Sequence, residues 1–116
     1  MDKRIKEYKE IYTKLVGEIL FLEEEFENTK KTIEKSAIKR EIDKKNFFLE
    51  EFICNDYASV VFEVYSSKRC KIKDTFTNEV KTWEEFFGTD FNKLTKLKRK
   101  TLVSLVEKSG AYRLTR

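Results

Sequence analysis

Residues 3–26 read KRIKEYKEIYTKLVGEILFLEEEF. Within them Ile5, Tyr8, Tyr12, Leu15, Ile19, Leu22 and Phe26 recur at alternating steps of three and four. That is the heptad spacing of a single helix face, and a stripe of that length requires something to pack against. Asp2 precedes it with a side chain suited to capping a helix start. The spacing therefore predicts a helix from Lys3 to Phe26. Gly17 lies inside it at a cost of about 1 kcal/mol relative to Ala, and its use would be close approach to another helix. The run Leu20-Phe21-Leu22 widens the apolar face beyond a two-position seam, which suits burial against a globular partner better than a two-stranded coil.

Beyond Phe26 the stripe thins. Residues 27–32 are polar, and apolar residues resume at Ile33, Ala37, Ile38 and Ile42, with a five-residue step that slips the register. Two geometries follow. One is a rod of about 50 residues, about 75 Å long. The other turns near Asn28-Thr29 and folds back as an antiparallel helical hairpin. The absence of Gly and Pro at the turn favours the rod, whereas Asn and Thr are acceptable caps there. The hairpin is preferred because a lone chain of 116 residues otherwise has too little core. Phe47-Phe48-Leu49-Glu50-Glu51-Phe52-Ile53 is a dense aromatic patch expected in that core, and Asn55-Asp56 reads as a stop and turn.

Working further outward, Ala58–Tyr65 is rich in β-branched and aromatic residues and predicts a strand. After a turn at Ser66–Arg69, the residues Cys70, Ile72, Asp74 and Phe76 alternate with Lys71, Lys73, Thr75 and Thr77. This predicts a half-buried strand with a basic outer face, paired with the first as a hairpin. Thr82-Trp83-Glu84-Glu85 has the form of a capping box opening a short helix to Phe87, which Gly88 ends. Asp90 is placed to cap a last helix from Phe91 to Ser109, with Gly110 closing it and Ala111–Leu114 adding a short strand. The expected fold is α+β. An N-terminal long helix or antiparallel helical hairpin, coiled-coil-like, is followed by a small β-hairpin packed on two C-terminal helices. Residues 1–55 would form the arm and residues 56–116 a basic subdomain, in one compact unit.

Charge is unevenly divided. Residues 1–57 hold 12 Lys/Arg against 14 Asp/Glu, while residues 58–116 hold 13 against 7. A basic half is suited to phosphate or to an acidic protein surface. There is no His, and the two cysteines, Cys54 and Cys70, belong to no Cys-x-x-Cys pair. Zinc sites of the usual Cys/His kind and His-dependent catalysis are thereby excluded within one chain. The three glycines, Gly17, Gly88 and Gly110, are scattered and form no phosphate loop. Glu23 and Glu27 share a helix face but supply only two metal ligands. We expect no catalytic residues, no metal, no cofactor, and no membrane span. Two reduced thiols and a charged N-terminus point to a cytoplasmic protein.

The strongest local signal lies on the last helix. At 100° per residue, Lys93, Lys96, Arg99 and Lys100 fall within an arc of about 120°, opposite Phe91, Leu94, Leu102 and Leu105, with Lys98 among the apolar positions. Such a face can lie along a phosphate backbone. Arg69, Lys71 and Lys73 would extend it, as would Arg113 and Arg116. Phe62, Tyr65 and Phe76 are expected in the core. The reading that follows is a small non-enzymatic regulator whose basic C-terminal helix contacts nucleic acid or a nucleoprotein. Tyr8, Tyr12, Leu15, Ile19, Leu22 and Phe26 would form a helix–helix interface, or meet a partner protein or a second copy in a homodimer. The alternative is a protein-directed inhibitor or adaptor, of the kind small mobile-element genes encode, binding through its N-terminal helices. A purely structural coiled-coil oligomer is the third.

Overall fold

In a computed structural model of the chain, residues 2–88, 90–107 and 112–115 are described. Helix α1 (Lys3–Asn28) starts where the cap predicts, with an Asp2 carboxylate oxygen accepting from the Arg4 amide at 2.8 Å. Helix α2 (Thr32–Glu51) returns antiparallel to it. Lys45 Nζ sits 2.9 Å from Glu18 Oε2, Lys35 Nζ lies 4.7 Å above the Phe26 ring, and Tyr8 meets Phe52 edge-on at 5.7 Å. Ile19 and Ile42 are buried in the hairpin. The hairpin is formed and the rod is not. Its turn dispenses with Gly and Pro because Thr29 and Lys31 are both extended, a conformation open to any residue.

The expected stop at Asn55-Asp56 does not occur. The helix widens into a π-helical stretch, Phe52–Tyr57, and continues as α3 (Ala58–Ser66). The strand expected at Ala58–Tyr65 is therefore helix. Tyr57, Ala58, Val60, Val61 and Val64 are all buried, at positions that fall on the inward side of a helix. A Val forgoes only a few tenths of a kcal/mol in helix propensity, against about 1.5–3 kcal/mol for burying its side chain, so packing decides.

Three short strands follow: β1 (Lys71–Asp74), β2 (Val80–Thr82) and β3 (Tyr112–Thr115), antiparallel in the order β2-β1-β3. The hairpin is thus β1–β2, and the partner of the predicted Cys70–Thr77 strand is Val80–Thr82. Their connection is tied by Asp74, whose Oδ1 accepts from the Phe76 and Thr77 amides, and it turns at Asn78 with φ 60°, a left-handed conformation that Asn tolerates. Helix α4 (Trp83–Phe87) begins with Thr82 Oγ1 accepting from the Glu85 amide and ends at Gly88, φ 81°. Asp90 caps only a single 3₁₀ turn, Phe91–Lys93. Helix α5 (Lys96–Glu107) starts afresh, with Thr95 Oγ1 accepting from the Lys98 amide. The helix end expected at Ser109 and Gly110 lies outside the described residues.

The main core gathers Tyr57, Ala58 and Val61, Ile72 of β1, Trp83 and Phe87 of α4, Leu94, and Leu102 and Val103 of α5. A second cluster pins the start of α1 to α3 through Ile5, Val60 and Val64. Tyr8 and Tyr12 stack edge-on against Tyr57, whose hydroxyl donates to the Glu107 carboxylate. Burial first, then this bond, pushes the Tyr57 pKa up. The α1 stripe is thus largely satisfied within the molecule, whose extents are 54 × 27 × 26 Å. Phe47 and Phe48, expected in the core, are exposed. Leu49 and Phe52 occupy the inward positions, and Phe47 and Phe48 fall beside and behind them on the wheel.

Candidate nucleic-acid interface

The outward arc expected on the last helix does not form. The break at Leu94-Thr95 separates Lys93 from α5, so the four cations do not share one helical register. The buried side of α5 is set by Leu102 and Val103, and Arg99 lies toward it. Its guanidinium sits 4.3 Å from the Phe91 ring centroid and donates to the carbonyls of Cys54 and Phe91 and to Asn55 Oδ1. Lys96 and Lys100 both place their ammonium groups 2.9 Å from Glu50 Oε1. Hydrogen bonds from Lys100 and then Lys96 hold the Glu50 carboxyl down at about 2. Lys96 and Lys100 are thus engaged by the end of α2, and Arg99 by the π-helical stretch and Phe91, while Lys98 is exposed. The neighbouring cysteine, Cys54, is buried with its thiol pKa pushed up by desolvation.

The extension named from the sequence forms a coherent surface. Register pairs Lys71 with Thr82 and Thr115, and Lys73 with Val80 and Arg113. Residues directly opposite on paired strands share a sheet face, so Lys71, Lys73 and Arg113 stand together on one face. Ile72, Tyr112 and Leu114 occupy the other, where they pack on the core. The hairpin's carboxylates keep to that inner side too: Asp74 and Glu79 line a small recess with Ile72, Phe86 and Tyr112. Lys71, Lys73 and Arg113 make no ion pair among the described residues. Lys73 directly opposite Arg113 is a like-charge pair, an arrangement that costs a fraction of a kcal/mol without a counter-charge. Phe76, expected inward, is 83% exposed at the tip of the β1–β2 connection. Arg116 lies outside the described residues.

Next to this face, where Lys71 meets Thr82, an open cleft of about 300 Å³ runs between the α3–β1 connection and the start of α4. One wall carries Lys68, Arg69 and Lys71; the other carries Trp83 and Glu84. The connection is tight, with the Cys70 amide donating to the Lys68 carbonyl at 2.6 Å. Lys68 Nζ lies 5.4 Å from the Tyr65 ring centroid. Trp83 is 4% exposed, and its indole N–H is buried without a hydrogen-bond partner. The sequence flagged Arg69 and Lys71 but placed Trp83 only in the capping box of a short helix. An unsatisfied indole beside a cationic turn is legible only once the chain is folded.

The N-terminal positions Tyr8, Tyr12, Leu15, Leu22 and Phe26 are half-buried and Ile19 is buried, on the side of α1 facing the rest of the molecule. No described helix is long and apolar enough to cross a membrane. Compared with protein families, with curated proteins and with solved structures, the chain has no match. Any functional reading therefore rests on these geometries.

Proposed function

We propose that this protein is a small non-enzymatic binding protein that contacts nucleic acid through the outer face of its sheet, in the cytoplasm, where its two cysteines stay reduced. The observation that carries the reading is the grouping of Lys71, Lys73 and Arg113 on the outer face of the sheet, Lys71 and Arg113 exposed and Lys73 half-buried, with Lys73 and Arg113 directly opposed and without carboxylates to neutralise them among the described residues. Along β1, alternate residues lie about 6.6–6.8 Å apart. That is about twice the 3.4 Å axial rise per phosphate of one strand. Exposed Phe76 adds an aromatic that can stack on a base, which favours nucleic acid over an acidic protein. Lys96 and Lys100, paired with Glu50, and Arg99, held by Cys54, Asn55 and Phe91, contribute less than the sequence suggested.

The test is charge reversal. A K71E/K73E/R113E variant should lose binding to a fluorescent oligonucleotide, measured by anisotropy, with an unchanged circular dichroism spectrum. A K96Q/K100Q variant should bind within about twofold of the parent. With Arg69 included, four phosphate contacts give a salt slope of about −2.8 on single strands, a loss of nearly 50-fold between 50 and 200 mM salt. Binding that survives the triple reversal, or a flat salt response, rejects the proposal.

One observation keeps the protein-directed reading in play. Phe21, Phe47 and Phe48 are exposed on the helical hairpin, with Phe47 and Phe48 rings 6.4 Å apart. An adaptor or inhibitor docking a partner there would bind with little salt dependence, the opposite of a phosphate contact.

A further inference from the structure

Gly17 interrupts α1 near its middle, and the close approach that would justify a glycine there is absent within the chain. A Cβ built at Gly17 meets nothing within 4 Å. At 100° per residue, Gly17 and Phe21 lie about 160° around the helix from Ile19, which is buried in the hairpin. They therefore share the outward face of α1, where Phe21 is 64% exposed and Leu20, at the margin, 58%. A glycine with exposed apolar residues one turn away is suited to admitting another backbone closely.

The charges of α1 divide at the same glycine. Residues 3–16 carry five Lys/Arg and two Glu, whereas residues 18–28 carry five Glu and no cation. Each end thus bears the sign that the helix dipole disfavours, with no acid in the first turn and no base in the last. Arg4 and Glu18 are engaged within the chain by Glu63 and Lys45. Lys6, Lys9 and Lys14, and likewise Glu24, Glu25 and Glu27, make no ion pair among the described residues. Helix α2 brings basic residues level with those carboxylates, but Lys35 lies over the Phe26 ring and Lys39 pairs with Asp43.

We infer that the occupant of this face is a second copy of the chain, its α1 crossing the first antiparallel about a two-fold axis at Gly17. Gly17 then lies opposite itself and Phe21 opposite Thr13, while Lys6 and Lys9 come level with Glu27 and Glu24 of the second copy. The acidic half of each helix runs along the basic half of the other, and the Lys14 stem covers Leu20. An isologous pair of this kind closes on itself as a dimer. A parallel pair would set carboxylates against carboxylates, and an unrelated partner would have to reproduce the same division of charge. The face is separate from the sheet cations, so dimerisation stands whether or not the sheet binds nucleic acid.

Sedimentation equilibrium of the intact protein at low salt, from about 1 to about 300 µM, brackets the micromolar affinity expected of a small interface. The mass should rise from monomer toward dimer and go no higher. G17Q should weaken association about tenfold or more, as for a side chain forced into an interface centre. It should not lower the Tm, since the monomer has room for the side chain and glutamine favours a helix. E24K/E25K, which leaves Gly17 untouched, should weaken association about tenfold through like-charge repulsion. Orientation is read by cysteine pairing under mild oxidation, Cys54 and Cys70 being buried. A disulfide needs Cα atoms within about 7 Å. In the antiparallel pair K6C lies about 33 Å from its own copy but beside N28C, so each variant alone should stay unlinked and their mixture should crosslink. A monomer at the highest concentration, which would leave the face to a different protein, overturns the inference. So would unchanged dimerisation of G17Q or of E24K/E25K, crosslinking of K6C or N28C with itself, or a mixture that stays unlinked.

Discussion

Replacing Ile5 with Ala and, separately, Ile33 with Ala applies one chemical change to two positions that look alike in the sequence. Both are apolar residues near the start of a helix. The fold treats them oppositely: Ile5 is 0% exposed and packs on Val60 and Val64 of α3, whereas Ile33 is 86% exposed near the tip of the hairpin. Truncating a fully buried Ile removes its transfer energy and leaves a cavity, for which about 3 kcal/mol is a central figure in a range of about 2–5. At about 2.1 cal/mol/K per residue, a chain of this length has an unfolding entropy of about 0.24 kcal/mol/K, so that loss lowers the Tm by about 12 °C. The exposed site should move by no more than about 0.5 kcal/mol, or about 2 °C. Thermal melts followed by far-ultraviolet circular dichroism, at matched protein concentration, measure both. Equal effects, or a larger effect at Ile33, would refute the argument. Either would mean that residues 3–51 form an extended rod, or that the hairpin tip is buried in a second copy of the chain.

Stability should also fall in alkali. Tyr57, Tyr12 and Tyr65 all have pKa values raised chiefly by burial. A raised folded-state value contributes stability that is fully present below the unfolded pKa near 10 and is lost as pH rises above it. The Tm should be level from about pH 7 to 9 and decline beyond about 10. Tyr57 alone contributes a slope approaching 1.4 kcal/mol per pH unit, so Y57F should flatten the decline in a pH series of melts. Gly88→Ala should cost about 1–3 kcal/mol, because φ 81° and ψ −170° lie in a region that only glycine adopts easily. An added Cβ meets nothing within 4 Å, so the loss is purely conformational. It should appear in urea as a lower midpoint with an unchanged m-value.

The parts of the fold legible in the sequence were those specified by local chemistry. Asp2, Thr82 and Gly88 terminate helices where their side chains, or the lack of one, dictate. The alternation from Cys70 to Asp74 placed a basic face outward on β1. The parts that were not legible are those where burial outranks propensity. Val60, Val61 and Val64 favour a strand in isolation, but the π-helical stretch carries the helix through Asn55 and delivers their side chains to the core. Strand β2 is three residues long and depends on pairing with β1, so no pattern of its own announces it; Asn78 at the turn was its one local mark. On the last helix, extending one wheel across Leu94-Thr95 put Arg99 on the wrong side. The cap at Thr95 resets the register, and Val103 sets the buried side together with Leu102. In the candidate site, Lys71 and Lys73 could be named because strand alternation is a local rule. Arg113 and Trp83 could be brought to them only by tertiary pairing.

A row of lysines on the outer face of a small sheet has a plainer explanation, protection of a free edge against pairing with another sheet. The order β2-β1-β3 argues against it here. The edges are β2 and β3, whereas Lys71 and Lys73 belong to the central strand, which already has a partner on each side. Charges there shield no free backbone groups. Solubility does not explain the placement either, since any exposed position serves that purpose and the cross-strand Lys73–Arg113 pair costs stability that other sites would spare. The C-terminal half of the chain carries the excess of positive charge. The fold spends a carboxylate from the other half, Glu50, on Lys96 and Lys100 of α5. It supplies none to the sheet face among the described residues. A cluster of like charges kept at a cost, beside a cleft lined by Lys68, Arg69 and Lys71, is what a surface looks like when its counter-charges are to come from another molecule.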